Sequence, residues 1–404
     1  MKTKNIILNL LVAGAMIFMV SGAWAGDVRG VTDTEIKIGV LSDFTGPGKV
    51  GGPPAADSFH DYMAYINDQG GIHGRKIKLV VEDNGIFPNT TLKAARKVIF
   101  KDEVFAIGFN LGSAGTAAIV PLCEENKVVL LPYGANKKFY DPGSKWVFVP
   151  HTVQYHLACR AVDYLLMKYP KARLGVIYQD DAYGREGLEG ATDTAKFHKN
   201  EIVAKAPYKL GSVDLAPQMK AMKEANVDAI VIWSYLPQAA AAIKIKTAMG
   251  WDVPLIGSKP TYTPVIFGLV GDKAEGYLIS TDNAPLHRKD LPGIKKVWDI
   301  AEKYGNPKET LLNPRYAAPI YESIYNHAIA LAEGLKRAGR NLTPESLVEG
   351  LESIKDFDMG GSTPDLTFGP KRHVSSFSSL ILRGNAAKKR FDIVDPFKEP
   401  KIPH

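Results

Sequence analysis

The chain has 404 residues, of which 45% are apolar and 23% charged, with a net charge of +7. That balance excludes a disordered or fibrous chain and leaves ample material for two domains. The charge is modest for the length and forms no basic stripe interleaved with aromatics, so no nucleic-acid partner is expected.

In chain order, the first signal is at the N-terminus. MKTK is followed by an apolar stretch over 6–20, broken only by Asn9, and then by Ala23-Trp24-Ala25. This is the pattern of a secretory signal peptide over 1–25, cleaved after Ala25. The apolar stretch is shorter than the roughly 20 residues a membrane span needs. A soluble, exported protein is therefore expected. Two cysteines remain, Cys123 and Cys159, on predicted helices of different lobes. A bridge needs Cα atoms within about 7 Å, so both thiols are expected to be free and buried.

Residues 35–41 alternate apolar at Ile36, Ile38 and Val40 and predict a strand. The glycine-rich loop after it carries Gly48-Lys49, but Val50 follows where a phosphate-cradling loop needs Ser or Thr. A helix over 55–68 ends at Gly70-Gly71. Strand 77–81, helix 91–100, strand 104–109, helix 117–126 and strands 128–132 and 146–149 follow. A second series then alternates helices 156–169, 184–199, 216–225 and 238–249 with strands 173–178, 202–206, 229–233, 254–256 and 276–280. Helices 292–304, 315–338 and 344–354 and a strand over 376–382 close the pattern. The basic last twenty residues read as a solvated tail. Two β/α series of similar length predict an α/β protein of two doubly wound parallel-sheet lobes.

Open α/β sheets bind ligands beyond the carboxyl ends of their strands. Strands 104–109 and 128–132 both run into small residues, at Gly112-Ser113-Ala114-Gly115-Thr116 and Gly134-Ala135-Asn136. Small residues open the backbone N–H groups to a ligand, and the helix behind Ser113 favours a carboxylate. Equally, Ser113 could simply cap its helix. Chemistry that would mark an enzyme is missing. There is no HExxH, CxxC or calcium loop, no nucleophile elbow around Ser113, and His151 and His156 do not share a helix face. No catalytic residue, metal or cofactor is expected.

Five segments carry a resemblance: EIKIGVLSDFTGP, YINDQGGIHGRKIKLVVEDN, GFNLGSAGT, YQDDAYGREGL and VDAIVIWSYLPQAAA. In this order the mature chain resembles the periplasmic leucine/isoleucine/valine-type binding proteins of ABC transporters. The resemblance implies a type I periplasmic binding fold, with two lobes joined by a three-crossing hinge and a ligand cleft between them. The implied lobes are 31–150 with 284–355 and 151–283 with 356–395, leaving 396–404 as a tail. It implies a periplasmic monomer that delivers a carboxylate-bearing ligand to an ABC permease in the inner membrane, without catalysis. A sensor passing ligand occupancy to a receptor is the alternative reading. By position, Ser113 (or Gly112) meets the ligand carboxylate, with Thr116 in the same loop. Tyr133, Gly134 and Ala135 match a ligand-contacting segment, where Ala135 replaces a threonine of the family. Tyr183 and Tyr235 match cleft tyrosines of the second lobe. Lys259 stands where amino-acid binders carry an acid for the ligand ammonium. That exchange implies an aliphatic or aromatic carboxylate without an α-amine, with Lys259 favouring a second anionic or polar group, unless Asp180, Asp181 or Asp282 supplies the missing acid.

Overall fold

The computed structural model describes residues 28–134, 139–140, 143–209, 211–305 and 319–402. Its first half runs β1 Glu35–Ser42, α1 Gly52–Asp68, β2 Lys76–Asp83, α2 Pro88–Phe100, β3 Ala106–Leu111, α3 Ser113–Glu125 and β4 Val129–Tyr133. Its second half runs α4 Gln154–Lys168, β5 Leu174–Gln179, α5 Ala182–Phe197, β6 Ile202–Tyr208, α6 Ala216–Glu224, β7 Ala229–Trp233, α7 Leu236–Ala248, β8 Leu255–Gly257, α8 Val265–Val270 and β9 Leu278–Thr281. Helices α9 Pro292–Tyr304 and α10 Pro319–Ala338 then return to pack on α1, and α11 Pro344–Glu352 packs on α10. Strands β10 Ser379–Asn385 and β11 Arg390–Lys398 complete the second sheet.

The first sheet has the order β2-β1-β3-β4, all parallel. The second has the order β11-β10-β9-β8-β7-β5-β6, parallel from β9 to β6 and closed by the antiparallel β10 and β11. Strands covered on both faces read as continuous apolar runs. In β7 all five residues of AIVIW are buried. In each lobe the strand order reverses once, between β1 and β3 and between β5 and β7. Those reversals are where an open α/β sheet leaves a crevice for a ligand.

Three passages of chain join the lobes, and they are tied to one another. The Thr152 N–H of the first passage donates to Asp282 Oδ2 of the second at 2.9 Å. The Thr152 hydroxyl donates to the Ser378 carbonyl of the third at 2.7 Å. Ala284 N–H of the second donates to the Ser362 carbonyl of the third at 2.7 Å.

Two expectations change. Residues 146–149 form no strand of their own. They make isolated bridges, Val147 with Leu130 and Val149 with Val374, because this stretch leaves the first sheet to cross. The basic C-terminal segment is not a tail up to Lys398: β11 pairs along β10 and buries Phe391. Cys123 and Cys159 are buried and unbridged, as expected. Among the described residues no helix is long and apolar enough to cross a membrane.

Candidate functional site

The residues singled out in the sequence collect at the carboxyl ends of strands around both reversals. On the first lobe, β3 ends at Leu111 and turns through Gly112, whose φ of +103° is a conformation that only glycine adopts readily. Gly112 supplies no side-chain cap, so Ser113 is the first residue of α3 rather than its cap. The Ser113 hydroxyl is half-buried and makes no hydrogen bond among the described residues. Beside it, Gly134 has φ +102°, and a Cβ there would stand 2.7 Å from Ser113 Oγ. The two small-residue loops therefore touch, and the touch requires glycine. Thr116 faces inward. Its hydroxyl donates to the Gly112 carbonyl and accepts from Asn110, both at 3.0 Å, which fixes the loop. Ala135 lies outside the described residues.

On the second lobe, Tyr183 opens α5 after β5, and Tyr235 precedes α7 after β7. Their rings stack at 5.3 Å with an interplanar angle of 23°. The Tyr183 hydroxyl donates to Ser258 Oγ at 2.7 Å and is buried. Tyr235 covers it and remains 39% exposed, so the stack presents one aromatic face to solvent. Tyr133, at the end of β4 on the opposite lobe, contributes to the electrostatics of the Tyr235 phenol. It also lies below Lys259, whose Nζ is 5.4 Å from the Tyr133 ring centroid. Residues of the two sheets thus face each other at this point.

Lys259 is not the free cation that a lone loop lysine suggests. It is 2% exposed, and its Nζ stands 2.5 Å from Asp282 Oδ1. The contact is ionic, since neither atom is angled for a good hydrogen bond. Burial alone pulls a lysine pKa down, but Asp282 and the nearby Tyr133 and Glu322 hold Lys259 above its ordinary value. Its charge is therefore answered inside the protein, which corrects the reading that it awaits a second anionic group of a ligand.

Four residues outside the expected ligand contacts complete the surroundings. Asp282 follows β9, the strand next to β8, and the pairing Gly257↔Ile279 carries Lys259 and Asp282 to the same edge. Glu322, in the first turn of α10, is 1% exposed and faces Lys259, Asp282 and Asn283. Loss of water holds its carboxyl well above the usual carboxylate range, against the opposing pull of Lys259. His151 and His327 stack on each other at 5.3 Å and both pack on Tyr133. Burial holds both imidazoles neutral, with His327 lowered to about 4 and His151 also lowered.

The other acids near Tyr183 are also committed. Asp181 accepts from Gly184 N–H at 3.0 Å as the cap of α5, and from Gln179 Nε2 at 2.5 Å. Asp180 pairs with Arg185 at 2.9 Å. A depression of about 410 Å³ elsewhere, lined among others by Tyr140, Lys145, Glu349 and His373, shares no residue with this set. We take the facing residues of the two lobes as the site, because they converge on the strand-order reversals and that depression does not.

Comparison with known proteins gives consistent results. Residues 35–387 match the family model described as periplasmic binding protein. The Leu/Ile/Val-binding protein of Escherichia coli (strain K12) is 23% identical over 287 residues, 70% of this chain and 77% of that one. The leucine-specific-binding protein of Salmonella typhimurium is 21% identical over 378 residues, 92% of this chain and 98% of that one. Among solved structures, the fatty acid ABC transporter substrate-binding protein from Thermomonospora curvata superposes with a TM-score of 0.80 at 26% identity, covering 93% of this chain and 95% of that one. A branched chain amino acid ABC transporter protein from Thermus thermophilus with bound valine gives a TM-score of 0.82 at 20% identity, covering 92% and 98%. At that identity the likeness is one of fold.

Proposed function

The chain belongs to the periplasmic binding protein family, and from that premise we propose that it captures a small carboxylic acid lacking an α-amine and delivers it to an ABC permease. The observation that carries the ligand class is the absence of an available acid among the described residues of the cleft. An amino-acid ligand needs an anion for its ammonium. Asp282 is spent on Lys259, Asp181 on its cap, Asp180 on Arg185, and Glu322 is held neutral. The ligand carboxylate goes to the Ser113 hydroxyl and the free N–H groups of α3. The exposed face of the Tyr183–Tyr235 stack takes its aliphatic or aromatic body. The fatty acid protein among the structural relatives supports an amine-free ligand, while the leucine-type relatives favour an amino acid. The capture mechanism is closure of the lobes about the three passages, drawn by the ligand's greater affinity for the closed form.

A thermal-shift screen of the mature protein against amino acids and amine-free acids, followed by calorimetry, tests the reading. A true ligand at 100 times its Kd stabilises by about 2.7 kcal/mol. Micromolar or tighter binding of leucine, isoleucine or valine would overturn the amine-free class. For the selected acid, Ser113→Ala is expected to weaken binding by about 1.5–3 kcal/mol, the worth of a hydrogen bond to a charged group. The unliganded melting temperature should stay put. A lowered melt with normal binding would make Ser113 a structural residue only.

The same reading places the protein in the periplasm, with the leader removed after Ala25. Mass spectrometry of the soluble periplasmic fraction should give Gly26 as the first residue. Retention of Met1 on membrane-bound protein would contradict it.

A further inference from the structure

We propose that Glu186 and Glu322 make lobe closure proton-coupled: each carboxyl lies where the lobes meet and takes up a proton when the seam shuts over it. The proposal rests on the hinge-closure reading above.

Glu322 belongs to α10, which packs on the first lobe, yet its charged neighbours are elsewhere. Lys259 faces it from the second lobe, as does the phenol of Tyr262, and Asp282 and Asn283 face it from the second passage. Among the described residues neither of its oxygens has a well-formed hydrogen bond, although the Asn283 amide stands close enough to favour the charged form. Helix α1, packed on the same turn, contributes Ser58 and Asp61, but these bond the carbonyl and hydroxyl of Tyr321. The α10 N-terminus and Lys259 both favour a carboxylate. Lys259 is already neutralised by Asp282, so desolvation prevails.

Glu186 repeats the arrangement on the other side of the hinge. It sits on α5 of the second lobe, a helix that touches α3 of the first. It is 6% exposed. One oxygen accepts a long bond, 3.4 Å, from Tyr155 N–H, and among the described residues the other has no well-formed partner beyond the nearby Tyr140 hydroxyl, which favours the charged form. Tyr140, from the first half of the chain, and Glu189, on its own helix, are the remaining groups that act on it. Burial pushes this carboxyl up to about 8.

When the lobes part, water reaches both seams and each acid returns toward the ordinary glutamate value of about 4.3. A group whose pKa is higher in the closed form binds more protons there. Closure is therefore favoured fully below about 4.3, and the advantage is lost as pH rises toward the closed-form value. In that window each acid changes the closed-to-open ratio by up to about tenfold per pH unit. Any wetting of His151 and His327 on opening acts in the opposite sense, because burial in the closed form lowers their affinity for a proton.

Spin labels on cysteines introduced by Lys93→Cys on α2 and Lys244→Cys on α7, both exposed, report the distance between lobes. The native cysteines are buried and free. Without ligand, the closed fraction should fall between pH 5 and pH 8, with the closed-to-open ratio dropping at least about tenfold. Glu186→Gln with Glu322→Gln, neutral and of the same shape, should flatten the response and leave the closed form populated throughout. If the carboxylic acid selected by the screen closes the protein but pH does not, the coupling is overturned and the hinge reading stands. If neither moves the distance, both are overturned. An unaltered pH response in the double variant also overturns the coupling. Should that variant fail to fold, the wild-type series still decides.

Discussion

Asp282→Asn is expected to lower the free energy of unfolding by about 3–5 kcal/mol, the usual cost of stranding one member of a buried ion pair. The substitution keeps the side-chain shape and an oxygen to accept the Thr152 N–H, so the hinge tie at 2.9 Å can persist. What it removes is the anion 2.5 Å from Lys259, a side chain with 2% exposure. Lys259 must then lose its proton or carry an unanswered charge away from water. Asp282 raises the Lys259 pKa in the folded protein, so the stability from this pairing is fully present below the ordinary lysine value of about 10.4. It is lost only as pH rises through the raised value, and a urea titration at neutral pH reads the whole effect. Asp282→Asn with Lys259→Met should recover most of the loss, since an apolar replacement of the entire pair is often neutral. A single variant within 1 kcal/mol of wild type would show that water reaches Lys259 freely.

The Lys259–Asp282 pair shows what the sequence could and could not say. Periodicity gave most strands of both sheets, because a run such as AIVIW or the alternation at Ile36, Ile38 and Val40 reports burial residue by residue. The small residues after β3 and β4 also marked their own place, since Gly112 and Gly134 answer local demands of φ and contact. A lysine after PLIG carries no such local mark. Its partner is set by the parallel register of β8 on β9, which brings the two strand ends level although they are distant in the chain. Glu322 was hidden differently. In the predicted helix over 315–338 it falls in the second turn with nothing to mark it, and only the tertiary contact with Lys259 and Asn283 buries it. His327 lay inside a long apolar helix pattern and reads as core until Tyr133 and His151 close on it.

The C-terminal strand produces the second large effect. Its residues, RFDIVDPFK, read as a charged tail because an edge strand keeps charges and a proline on its open side. Yet β11 pairs with β10 from Ser379↔Lys398 to Asn385↔Arg390, and Phe391 packs edge-on against Tyr262 at 5.6 Å and beside Phe267 at 5.2 Å. Asp395 reaches Arg160 of α4 at 2.6 Å, and that guanidinium is 3% exposed. A chain ending at Lys389 therefore loses a buried aromatic side chain, worth about 3–5 kcal/mol. It also strands a buried arginine, at a further cost of about 3–5 kcal/mol. The sum is comparable with the ~5–15 kcal/mol of a whole domain. The truncated protein is expected to lose its cooperative melt, seen by circular dichroism, and to collect in the insoluble fraction. Asp395→Ala in the full chain isolates the arginine and should cost about 3–5 kcal/mol alone. A truncated chain melting within a few degrees of the full one would mean that β10 can serve as the sheet edge and that Arg160 finds water.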